Sequence, residues 1–263
     1  MILRLQSVMI RSFCCGLLCL VGLLAFGSVP TQAQQIGPPH DTQPRDGVRF
    51  QGSASVTLGI PVGEFDDNID GLGYGASFHA GAVFPKTPFS IGLDFNFLIY
   101  GRSTRNVPFS ETVGAAVTVD VTTTNSIVQP HLVLRLQPPT GQIRPYLDGL
   151  IGFKYLFTET RVKDEDLRDD RDIASTTNFD DLAFSGGVGA GVYLRLANFG
   201  EDSTRSISLN LGLQYLLGQE AEYLAEGPLV DNNGNGQLDQ SELDIRRSTT
   251  TLLQPHVGIA ILF

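Results

Sequence analysis

Twelve residues late in the chain, "DNNGNGQLDQSE" from Asp231 to Glu242, set hard oxygens at the spacing of a calcium loop, D-x-[DN]-x-[DN]-G-x5-E. Asp231, Asn233 and Asn235 offer side-chain oxygens, and Gly236 permits the sharp turn. Gln237 would add its backbone carbonyl, Asp239 a direct or water-mediated contact, and Glu242 a bidentate carboxylate. Ca²⁺ takes about six to eight such oxygens at flexible angles, so it is the one cofactor this chain is expected to hold. The competing reading is an acidic surface turn rich in Asn and Gly. Pro228 argues against a regular helix entering the loop, which makes the site a loop graft instead of a paired helix–loop–helix unit. An isolated extracellular site of this kind has a Kd on the order of 10⁻⁴–10⁻³ M.

A second set is His79, Asp94, His131, Asp148 and His256. A His–Asp pair can act as a general base, as in a barrel enzyme working on lipid or peptide. No serine or thiol stands out beside these residues, however, so a structural polar network is expected and no catalytic residue is assigned. The glycine spacing of "GGVGAGVYL" lies in a strand pattern with no helix after it, and so is not a phosphate loop. The acidic run from Lys163 to Asp172 reads as a solvated loop.

The elements that must position these residues begin after a leader. Arg4 and Arg11 precede "FCCGLLCLVGLLAF", and Thr31-Gln32-Ala33 closes the segment, the order of a secretory signal peptide over residues 1–33. The apolar run is short of the ~20 residues that a membrane helix needs. Cys14, Cys15 and Cys19 all lie within it, in no lipoprotein-like context, so the processed chain is expected to have no disulfide, thiolate metal site or cysteine nucleophile. Residues 34–46 read as a flexible segment and 47–263 as one domain. With 18 basic and 28 acidic residues the formal charge is −10, and nucleic acid is not an expected partner.

From there the chain alternates with period two and shows no helical periodicity. Ile207, Leu209, Leu211, Leu213 and Tyr215 share one face against Ser208, Asn210, Gly212 and Gln214. Eight strands follow: about Phe50–Pro61, Tyr74–Phe84, Phe89–Gly101, Thr123–Gln137, Ile143–Thr158, Asp181–Leu196, Arg205–Leu217 and Ser248–Phe263. Links after the even strands ("PKTP", "PPTG", "ANFGEDST") are short, whereas those after the odd strands are long and polar. If the first two short links are four-residue turns, His79 pairs with Asp94 and His131 with Asp148, each couple on one polar face.

A soluble lipocalin-like barrel would share this pattern with the apolar face turned inward. The polar face decides, because Ser53, Ser55, Gly59, Gly75, Ser77, Gly81, Ser185, Gly187, Gly189, Gly191 and Gly212 suit a cramped interior, not a solvated surface. Asp94, Arg135, Arg144, Asp148, Lys154 and Arg195 fall on that same side, and the two acids are expected to be compensated by these bases. The expected fold is therefore all-β, an eight-stranded antiparallel up-and-down transmembrane β-barrel in a bacterial outer membrane, with tight turns in the periplasm and long loops outside. Eight strands leave room only for side chains, so an open pore is not expected.

The stretch from about Phe50 to Phe263 resembles the OmpA/OmpX-like small outer-membrane barrels. Its last residues, "HVGIAILF", are similar to the β-signal read by the barrel-assembly machinery, with His256, Gly258, Ile261 and aromatic Phe263 at the matching positions. The resemblance implies that machinery and the lipid bilayer as partners. It does not extend to the peptidoglycan-binding domain of full-length OmpA, so a cell-wall tether is not expected. The expected role is structural or surface-interactive, with an extracellular ligand or partner at the loops. The alternatives are a narrow channel for small solutes and a barrel enzyme.

Overall fold

The computed structural model describes residues 47–69, 71–108, 118–164, 172–199, 205–225 and 244–263, all within one unit, Pro44–Phe263. The leader, segment 34–46 and the calcium motif lie outside the described residues. Among the described residues there are ten strands and one short helix: β1 Arg49–Pro61, α1 Glu64–Asn68, β2 Gly73–Val83, β3 Phe89–Pro108, β4 Thr118–Leu136, β5 Ile143–Asp164, β6 Asp172–Phe199, β7 Arg205–Gly218, β8 Glu220–Leu224, β9 Ile245–Thr249 and β10 Leu252–Leu262. Eight of them close a ring in the order β1-β10-β7-β6-β5-β4-β3-β2, and β8 pairs with β9 in a separate two-stranded sheet.

Closure joins β1 to β10 with Gln51 opposite Leu262, and Phe263 N–H donates to the Phe50 carbonyl at 2.8 Å. Every neighbouring pair is antiparallel, so no strand of the ring keeps an unpaired edge along its shared length. Side chains alternate as the period-two pattern requires: Leu93 is 63% exposed while Asp94, next to it, is 6% exposed.

Four expectations need correction. First, β3 to β6 run well past the predicted ends at Gly101, Thr123, Thr158 and Asp181, so β3–β4 pairing continues to Pro108↔Thr118 and β5–β6 pairing to Lys163↔Asp172. Threonine, β-branched and polar, suits a strand that is solvated on both faces, and these extensions are rich in it. Second, the predicted strand Ser248–Phe263 is broken: Ile245–Thr249 pairs with β8, and β10 starts only at Leu252. Third, one helical turn, α1, occurs where no helical period was visible. Fourth, "PPTG" is not a four-residue hairpin turn. Leu136 pairs with Leu147, Arg135 with Asp148 and His131 with Gly152. The first residues of β5 run beyond the end of β4 and pair with β6 alone, Ile143 opposite Leu194. A barrel closes only with such a stagger between strands. The register moved by an even number of residues, so every side chain kept its predicted face.

Candidate functional site

The lumen is filled by a polar network. Arg135 on β4 grips Asp148 on β5 with both forks, Nε to Oδ1 and Nη2 to Oδ2, each at 2.7 Å. Its third donor, Nη1, reaches the Tyr193 hydroxyl, and its guanidinium lies 4.2 Å from the centroid of the Tyr146 ring. Tyr146 and Tyr193 pack with centroids 4.9 Å apart. The Tyr146 hydroxyl donates to Asn210 Oδ1 at 2.9 Å and meets His256 Nε2 at 3.2 Å. A buried guanidinium needs this completeness, because each unpaired charge in the interior costs several kcal/mol.

The glycines on the inner face make room for these groups. A Cβ on Gly191 would collide with the Tyr146 ring, one on Gly212 with the Tyr146 hydroxyl and the His256 ring, and one on Gly92 would sit 2.7 Å from His79 Cε1.

Asp94 lies between two histidines. It pairs in register with His79 on one side and His131 on the other. His79 Nδ1 approaches its Oδ1 at 2.5 Å, and Gln214 donates to Oδ2 at 2.9 Å. Of the five residues singled out in the sequence, the structure thus joins His79 to Asp94, turns His131 away to Ser185, and sets His256 on Tyr146. Asp148 belongs with Arg135.

One expectation fails here. Ser185 Oγ does lie beside a histidine, 3.0 Å from His131 Nε2, although it donates to the Leu217 carbonyl at 2.9 Å. Both stand opposite Gly152 of β5, one on each side, so their meeting depends on the β4–β5 register, which the expected four-residue turn had placed otherwise. Of the four bases offered to compensate the acids, Arg135 takes Asp148, whereas Lys154 turns to backbone carbonyls. Its ammonium, fully buried, donates to the Leu216 carbonyl at 3.1 Å and to the Thr250 carbonyl.

At the loop end the lumen changes character. Leu98, Tyr100, Ile127, Leu156, Ala183 and Leu252 face inward and are covered by Phe65 and Ile69 from the α1 segment and by Ala221 and Tyr223 from β8. Phe65 is fully buried and meets Tyr223 edge-on at 5.2 Å. Glu64 fastens this cap: its Oε2 accepts the Thr249 N–H at 3.1 Å and the Thr249 hydroxyl at 3.0 Å. These two bonds hold its carboxyl below the usual carboxylate range. Above the cap, Glu64, Asp67, Asn68, Glu220, Arg247 and Ser248 line an open hollow of about 420 Å³. Deeper down, among Ser53, Ser77, His79, Asp94 and His256, the remaining gap is about 10 Å³, roughly room for one water.

The outside is the reverse of the inside. Val56, Phe78, Ile91, Leu93, Phe95, Leu132, Leu134, Leu147, Ile151, Val188, Leu211, Val257 and Ile259 are all exposed and circle the ring. So large a continuous apolar belt is not stable in water and fits hydrocarbon. Closure is the condition for a sheet in lipid, where every backbone N–H and C=O needs an internal partner. The protein is a small eight-stranded β-barrel of a bacterial outer membrane.

No protein-family model matches the chain, and no curated protein sequence matches it. Among solved structures it is similar to neisserial surface protein A, with 10% identity over 82% of this chain and 95% of that one and a TM-score of 0.33. It is similar also to a major outer membrane protein from Thermus thermophilus, with 14% identity over 82% and 100% and a TM-score of 0.38. A third likeness is the translocator domain of the autotransporter NalP from Neisseria meningitidis, at 11% identity, 82% and 88% coverage and a TM-score of 0.25.

Proposed function

We propose that this outer-membrane barrel is a structural and surface-interaction protein of the OmpA/OmpX-like kind, and that the segment of residues 226–243 binds calcium. One observation carries the reading. The N–H of Ala225 donates to the Asp244 carbonyl at 3.0 Å, one rung beyond the Leu224↔Ile245 pair of the β8–β9 hairpin. Both ends of the segment that bears Asp231, Asn233, Asn235, Gln237, Asp239 and Glu242 are thus fixed on a two-stranded stem. Part of the ordering cost of closing a ligand loop is met before any ion arrives.

The surface role draws on the same end of the molecule. The strands β3 to β6 project as a four-stranded sheet, and residues Gly101 to Pro108 alone add on the order of 25 Å of strand. A filled lumen supports a closed barrel over a channel for small solutes. No enzymatic step is assigned, since His131 and Ser185 are both buried and the serine proton is engaged by a backbone carbonyl. The strand "HVGIAILF" ending in Phe263 is the proposed contact for the barrel-assembly machinery.

Calcium titration of the full protein, refolded in detergent micelles and followed by calorimetry, tests the metal reading. Binding is expected with a midpoint on the order of 10⁻⁴–10⁻³ M. It should be lost in Asp231→Ala and in Glu242→Ala, both of which should still show the folded barrel's gel mobility. Equal heats in wild type and both variants would end the calcium assignment.

A further inference from the structure

We propose that the periplasmic end of the lumen is a binding site for a tetrahedral oxyanion, either inorganic phosphate or the phosphoryl group of a lipid. Three arginines stand on its inner face, Arg49 at the start of β1, Arg144 at the start of β5 and Arg195 near the end of β6. Arg144 feels the positive charges of Arg195, Arg49 and Arg135 together. It is 1% exposed, and among the described residues its Nε and Nη1 have no hydrogen-bond partner. Arg195 Nε likewise has none.

The neighbouring groups are of the same kind. Ser208, opposite Arg195 in the β6–β7 register, and Ser206, one inward position further along β7, bury hydroxyls that have no hydrogen-bond partner among the described residues. Gln51 Nε2 at the start of β1 is a further buried donor without a partner. Asp148, the acid on the next inward positions of β5, has both oxygens taken by Arg135.

Buried donors left unpaired are costly, and guanidinium groups in mutual repulsion are more so. A ligand that supplies several anionic acceptors at once would relieve both. Guanidinium forks match phosphate in a bidentate manner, and the two hydroxyls add donors from the adjoining strand. The approach is graded: Arg49 and Arg195 are half-buried toward the periplasm, and Arg144 is enclosed behind them. The Arg144 guanidinium is also held 5.3 Å from the Tyr193 ring centroid, which orients it without using its hydrogen-bond capacity.

The test uses the full barrel in two arms. In neutral detergent, inorganic phosphate is added at constant ionic strength against chloride, and binding is read by calorimetry together with the unfolding temperature. In phosphate-free buffer, nanodiscs of phosphatidylglycerol are compared with nanodiscs of a phosphate-free glycosyl diacylglycerol by the same unfolding readout. A phosphate-specific rise in the first arm assigns a dissolved phosphate, and a phosphatidylglycerol-specific rise confined to the second assigns a lipid headgroup. Arg144→Gln should weaken the response about tenfold or more, the loss expected for removing charge-assisted hydrogen bonds. Arg195→Gln, at a half-buried position, provides the same test should Arg144→Gln not assemble. No anion-specific response in either arm, or an unchanged response in a folded variant, overturns the proposal.

Discussion

Asp148 shows what a single side chain does in this lumen. Both its oxygens are committed to Arg135, which is itself buried and has no solvent to turn to instead. Truncation to Asp148→Ala would leave a guanidinium enclosed with a tyrosine hydroxyl and two aromatic rings but no counter-charge. The expected loss is about 3–5 kcal/mol, the range for breaking one side of a buried pair. Equilibrium urea unfolding of the refolded barrel in lipid vesicles checks it, and Asp148→Asn, which keeps one acceptor, should lose less. A comparable fall for a change on the lumen wall away from this pair, such as Ser77→Ala, would deny Asp148 its special weight.

The cap at the loop end is an arrangement of elements. A one-turn helix and a short hairpin, each too small to be stable alone, close the barrel mouth by sharing one apolar cluster and one carboxylate anchor. Because the two bonds from Thr249 stabilise the charged form of Glu64, its folded pKa lies below its unfolded one. The anchor therefore contributes fully above the ordinary carboxylate pKa and is lost as the pH falls through the depressed folded value. Hydrogen exchange at the Thr249 amide, corrected for its intrinsic pH dependence, should show protection falling over that acidic window. In Glu64→Gln the protection should be lower and indifferent to pH there. A pH-independent amide in the wild type would show that the helix and hairpin are held by Phe65 and Tyr223 alone.

At the scale of the whole molecule, the sheet is turned inside out relative to a soluble barrel. Val257 on β10 is exposed, with Val56 and Leu211 as its outward neighbours on either side. An arginine there must enter hydrocarbon, so Val257→Arg should cost about 2–4 kcal/mol in vesicles if the position lies near the midplane. Unfolding in vesicles of matched lipid provides the measurement, and a neutral result would place this belt outside the bilayer.

The amino-acid sequence by itself determined the eight strands of the ring, the face of every strand side chain singled out and the polarity of the barrel, because period-two alternation records the sidedness of a sheet directly. It also brought out the His79–Asp94 pair, whose connecting turn "PKTP" is short enough to fix the register locally. Only the tertiary structure decided that Arg135, not His131, faces Asp148, since the stagger between β4 and β5 is set by closure of the ring. The same register brought Ser185 to His131 across Gly152, and the curved sheet brought Lys154 to the carbonyls of Leu216 and Thr250. The cap, too, lay beyond the sequence pattern: Phe65 and Tyr223 are far apart in the chain, and their contact exists only because the barrel holds both loops over one mouth. Alternation is a local property of the backbone, whereas stagger and loop packing are properties of the closed cylinder.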